Sequence, residues 1–97
     1  MLFRSFQNNK LTSVNLPLLE KAGNSAFQNN KIEKLDLPKL GTIGNYTFAD
    51  NLLPEIELPE LKVIGEFAFS NNLIKEAKLK KIESIGRGAF FNGGERN

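Results

Sequence analysis

Cysteine, histidine and tryptophan are absent from these 97 residues, and tyrosine and methionine occur once each. Without cysteine there is no disulfide framework and no thiolate metal site, and either redox compartment is compatible with the chain. Without histidine it lacks the side chain that most often serves as a general base near neutral pH. Ser5 and Ser70 stand at repeat positions near the Phe, with no nearby base in the sequence of the kind a hydroxyl nucleophile needs. No glycine motif that could cradle a phosphate appears, since Gly93-Gly94 is merely terminal. The composition therefore predicts a chain that is not an enzyme, with no catalytic residue, no cofactor and no metal site.

Charge of one sign is also lacking. Thirteen Lys+Arg against eleven Asp+Glu leave a net charge of +2, too small a bias to direct the chain toward nucleic acid or an acidic membrane. No apolar run approaches the roughly 20 residues of a spanning helix, and Met1-Leu2-Phe3-Arg4-Ser5-Phe6 is not the apolar stretch of a signal peptide. A secreted parent would carry its leader outside this segment.

What the sequence does have is a period. Units of 21 residues begin at Met1, Ala22, Ile43, Ile64 and Ile85 with no insertion or deletion, giving 1–21, 22–42, 43–63, 64–84 and a partial 85–97 within one domain, 1–97. The sixth position is Phe in every unit: Phe6, Phe27, Phe48, Phe69 and Phe90. A small residue precedes each (Ser5, Ala26, Thr47, Ala68, Ala89), and Ile43, Ile64 and Ile85 stand four residues before that small residue. This i, i+4 spacing predicts a short helical turn in each unit. Gly23, Gly44, Gly65 and Gly86 lie just ahead of it, where a glycine permits either positive φ or close backbone approach between stacked units.

After the Phe comes an amide doublet: Asn8-Asn9, Asn29-Asn30, Asp50-Asn51 and Asn71-Asn72. Such side chains satisfy backbone groups in turns. A metal or polar-ligand strip would need converging acidic oxygens, and only Asp50 supplies one, so the doublets are read as a ladder of turn-closing amides. Next stand the apolar trios Leu11, Val14, Leu16; Ile32, Leu35, Leu37; Leu53, Ile56, Leu58; and Ile74, Ala77, Leu79. The last two of each trio alternate with period two, the mark of a short strand with one buried face. Pro17, Pro38 and Pro59 end these strands, because proline cannot donate to a ladder. A final apolar position, Leu19, Leu40, Leu61 and Ile82, returns the chain to the core. No unit can bury its own apolar face, so the predicted fold is a stack with strands about 4.8 Å apart in one parallel sheet.

The string Ile-Gly-x-x-Ala-Phe-x-x-Asn-x-Ile/Leu-x-x-Leu-x-Leu-Pro resembles the BspA-like, or Treponema pallidum type, leucine-rich repeats over practically the whole chain. The resemblance implies an α/β repeat solenoid, a right-handed coil with a short parallel sheet on the concave face and helical turns on the convex face. It also implies a binding role in a secreted or cell-surface, adhesin-type protein. Many relatives carry Cys where this chain has Asn9, Asn30, Asn51 and Asn72. The pattern fades at the end, where Ala77 replaces a large strand residue, Lys80 replaces the proline and Glu95 replaces an aliphatic residue.

Function is then expected where the repeat leaves freedom. The outward strand positions are Ser13 and Asn15, Lys34 and Asp36, Glu55 and Glu57, and Glu76 and Lys78, the candidate protein-binding face. Along it Lys34 should neighbour Glu55 and Glu57 should neighbour Lys78. Like charges should meet at Asp36 beside Glu57 and at Glu55 beside Glu76, an arrangement suited to a basic partner. The bland reading, a solvated sheet face, stands beside it. Lys75, Lys78, Lys80 and Lys81 could meet phosphates, but no aromatic platform or arginine accompanies them, so nucleic acid is not the expected partner. The end strands, with Val14 and Leu16 at one edge and Ala77 and Leu79 at the other, are candidate self-association edges that could make a homo-oligomer. Phe3, Phe67 and Phe91 fall outside the repeated Phe position and are candidates for exposed apolar surface.

Overall fold

Short strands form where a single apolar residue sits between polar ones. In the computed structural model, which describes residues 5–93, these are β1 (Ser13–Asn15), β3 (Lys34–Asp36), β5 (Glu55–Glu57) and β7 (Glu76–Lys78). Each falls on the same three repeat positions. Their central residues Val14 and Ile56 are buried and Leu35 is half-buried, while Ala77, too small to fill the space, is exposed. Downstream of the first three, proline takes the second position of a tight turn closed by Leu19 N to Leu16 O, Leu40 N to Leu37 O and Leu61 N to Leu58 O, each 3.2 Å. The fourth unit has Lys80 in place of proline, and among the described residues that hydrogen bond has no counterpart there.

A second set of two-residue strands was not anticipated: β2 (Lys21–Ala22), β4 (Thr42–Ile43), β6 (Val63–Ile64) and β8 (Ser84–Ile85). These four pair in parallel as one continuous sheet, β2-β4-β6-β8, with registers offset by one repeat such as Ile43↔Ile64. The chain is thus a parallel β-solenoid with two strand positions per coil.

The predicted sheet is instead interrupted. β1 pairs with β3 and β5 with β7, in the predicted register, but β3 and β5 lie side by side without pairing. Proline accounts for one end of the break. Glu33 N donates to Thr12 O at 2.8 Å and Lys75 N to Pro54 O at 2.9 Å. Pro54 occupies the equivalent position of the third unit and has no N–H to give. At the other end of the strand, Leu16 N bonds Asp36 O and Leu58 N bonds Lys78 O. No such bond runs from Leu37 to Glu57, so the rung is unpinned at both ends.

The predicted helical turns do not occur; among the described residues there is no helix. The segment from Gly23 to Gln28 makes two successive tight turns, Ala26 N to Gly23 O and Gln28 N to Ser25 O, each 3.2 Å. The intervening amides point to the next coil: Ser25 N to Asn45 O, Phe27 N to Thr47 O and Asn29 N to Ala49 O, all 2.9 Å. Two residues per coil adopt left-handed backbone, as at Ser25 and Asn29, Tyr46 and Asp50, and Phe67 and Asn71, with φ between 55° and 60°. Alternation of right- and left-handed residues cannot propagate a right-handed helix, and the i, i+4 spacing reflects two turns of the same span.

These turns stack the Phe side chains face on face. Phe6, Phe27, Phe48, Phe69 and Phe90 form a file with ring centroids 5.2–5.6 Å apart and planes within 8°. The middle three are fully buried. Each such pair adds about 0.5–1.5 kcal/mol beyond its buried area. The glycine question resolves in favour of close approach. A Cβ on Gly65 would meet Gly44 C and stand 2.5 Å from Gly44 O, whereas positive φ occurs at another glycine, Gly88 (65°).

Candidate functional site

The amide doublets divide into a buried and an exposed column. Asn30, Asn51 and Asn72 are buried. Asn51 Oδ1 accepts from Ile32 N at 3.0 Å, and its Nδ2 donates to Phe27 O and Phe48 O, each at 3.0 Å. One side chain therefore fastens two coils, and Asn30 and Asn72 repeat the pattern. The neighbouring column bonds along the surface, Asn29 Nδ2 to Asn8 Oδ1 at 2.8 Å and Asn71 Nδ2 to Asp50 Oδ1 at 3.0 Å. These groups are occupied by the fold. Among the described residues no three carboxylates come together in a way that could hold a metal ion, and no helix is long and apolar enough to cross a membrane.

The outward strand positions are differently placed. Ser13, Asn15, Lys34, Asp36, Glu55, Glu57, Glu76 and Lys78 are all exposed. Strand register aligns Ser13 with Lys34, Asn15 with Asp36, Glu55 with Glu76, and Glu57 with Lys78. The ion pairs among the described residues lie elsewhere, Lys81–Glu60 at 3.1 Å and Arg87–Glu66 at 3.7 Å, both exposed. Glu57 and Lys78, although adjacent, are not within bonding distance. The face thus carries eight polar side chains that the fold holds in place through their backbones and leaves otherwise uncommitted.

A groove of about 480 Å³ opens on this face where β3 and β5 fail to pair. Leu35, Pro54 and Ile56 line it together with Glu33, Glu55, Glu57 and Glu76, against which stand only Lys34 and Lys78. Sequence reasoning picked out the charges and missed the groove. The signal was Pro54, a proline at a position where the preceding and following units donate hydrogen bonds.

At the ends, β1 and β2 pair only on one side, as do β7 and β8. Val14 is buried, Leu16 and Leu79 are half-buried, and Ala77 is exposed. The end rings Phe6 and Phe90 are 39% and 37% exposed, unlike those between them. Phe67 is half-buried, stacked on Tyr46 at 5.3 Å and edge-on to the exposed Phe91. Phe3 lies outside the described residues, as does Glu95.

No curated protein and no solved structure matches the chain. A family model described as a BspA type leucine rich repeat region, of 6 copies, matches residues 3–95. The match spans the file of phenylalanines and the buried asparagines, and the chain belongs to the BspA-type leucine-rich repeat family.

Proposed function

We propose that the chain is a protein-binding module that presents its outward strand face to a partner, within a secreted or cell-surface protein of adhesin type. The observation that carries this reading is two in-register sets of four exposed strand residues, none in an ion pair, on a scaffold whose repeated asparagines are consumed by the fold. Rigid backbone and free side chains are what a binding surface needs, because little conformational entropy is lost on docking. Absence of Tyr or Trp from the face means that affinity rests on charge and shape more than on aromatic anchors. The test is capture of extracellular proteins by the immobilised chain, repeated with Glu55→Lys/Glu57→Lys. Recovery of a specific partner should fall about tenfold or more at moderate salt, while stability changes by no more than about 0.5 kcal/mol. Unchanged recovery would count against this face.

A second reading, self-association through the solenoid ends, is favoured by the exposure of Phe6, Phe90 and Ile85 beside strands paired on one side only. It predicts a scattering mass that rises with concentration and falls back toward the monomer when Ile85 is replaced by Glu. A strictly monomeric mass at high concentration would remove it.

A further inference from the structure

The break between β3 and β5 is a departure from the repeat that the core does not require. The buried residues around it, Ile32, Leu37, Leu53, Ile56 and Leu58, are those of a regular coil. What is special is the backbone. Where the other coils carry an N–H that closes the ladder, the third carries Pro54, so no N–H from position 54 reaches Glu33. The coils stay at bonding distance beside it, Leu52 N to Ile32 O at 2.9 Å, so no strand can enter between them. The surface groove of about 480 Å³ over this rung has room for a side chain.

The chemistry of the walls selects which side chain. Removing a donor and keeping its acceptor makes the groove richer in acceptors than in donors. Its rim adds four carboxylates, Glu33, Glu55, Glu57 and Glu76, against the two ammonium groups of Lys34 and Lys78. Its floor is the exposed Pro54 with the half-buried Leu35, Ile56 being turned into the core. A planar, donor-rich cation on an aliphatic stem matches all three: N–H groups for carbonyl and carboxylate oxygens, positive charge for the acidic rim, methylenes for the floor.

We propose that the groove at the Pro54 break is the specificity pocket of the strand face, and that it takes an arginine side chain from a basic segment of a protein partner. This rests on the protein-binding reading above and sharpens it. Pro54 is then a specificity-determining residue that acts by holding the rung open, with Glu55 and Glu57 supplying the charge.

The test uses a short fluorescent oligo-arginine peptide, with a citrulline peptide of equal length as the uncharged control. Oligo-arginine should bind in preference to the control, and Glu55→Lys/Glu57→Lys should abolish that preference. The deciding variants are Pro54→Thr and Pro54→Ala, which restore an N–H without touching any charge, so that β3 and β5 pair and the pocket closes. Hydrogen exchange at the Leu37 amide should slow in both, and affinity for oligo-arginine should fall about tenfold. Amide shifts induced by the peptide in the unaltered chain should centre on residues 33–37 and 54–57.

Equal affinity in the Pro54 variants despite slowed exchange would overturn the pocket while leaving a binding face governed by its overall charge. Peptide-induced shifts spread evenly over Ser13, Asn15 and the rest of the face would do the same, whether or not the Pro54 variants pair. Loss of specific capture on charge reversal, with no preference for oligo-arginine, would keep the face and remove the basic partner. Capture unaffected by charge reversal would instead count against the face itself.

Discussion

Replacement of Asn51 by Ala is expected to lower the unfolding free energy by about 2–4 kcal/mol, and the same change at Asn9 by no more than about 0.5 kcal/mol. Both residues occupy the same repeat position, but their surroundings differ. Asn51 is 4% exposed and its amide serves Ile32 N, Phe27 O and Phe48 O. Truncation leaves Ile32 N buried without a partner, at about 1–3 kcal/mol, and strips one of two amide donors from Phe27 O and Phe48 O, which keep Asn30 and Asn72. Asn9 is exposed and makes one marginal bond, to Gln7 O at 3.3 Å, which water replaces. Against a domain stability of roughly 5–15 kcal/mol, the first change should be visible as a large fall in urea midpoint and the second as none. Equal effects would mean that the buried amides do not fasten the coils.

The second large effect is expected at a residue with no side chain. Gly65→Ala would drive a methyl group into Gly44 C and to within 2.7 Å of Asn45 N. These are backbone atoms of the adjacent coil, unable to swing aside, so relief requires the coils to separate. The cost should reach or exceed the upper end of overpacking penalties, about 3 kcal/mol. Gly41→Ala is the matched control. Its Cβ would lie 3.7 Å from Glu20 O and Glu60 O, an ordinary contact, and the loss of unfolded-state freedom should leave stability unchanged or raised by up to about 1 kcal/mol. Thermal unfolding of the pair measures the difference directly; similar midpoints would show that the coils can give way at Gly65.

How far these features could be read from the residues varied with the length of the pattern. The 21-residue spacing located the Phe file, the buried asparagines and the strands at Ser13, Lys34, Glu55 and Glu76, because each is a one-residue demand repeated at every coil. The second sheet was not legible, since two-residue strands such as Lys21–Ala22 are too short to show alternation. Spacing suggested a helix where the chain makes turns, because i, i+4 positions share a side in both. The left-handed residues distinguish them, and Tyr46 and Phe67 are not types that announce positive φ. The groove was hidden for another reason. Periodicity records what recurs, and the groove arises from the single unit that departs at Pro54.

That departure also has a mechanical side. The ribbon β2-β4-β6-β8 is stitched through every coil, whereas the ribbon formed by β1, β3, β5 and β7 is cut once, between its second and third members. The same two coils are nevertheless joined elsewhere, by Phe27 N to Thr47 O, Leu52 N to Ile32 O and Asn51 Nδ2 to Phe27 O. Redundancy of this kind is what lets a solenoid spend a rung: the strand face can vary from coil to coil while the turns and amides go on carrying the stack.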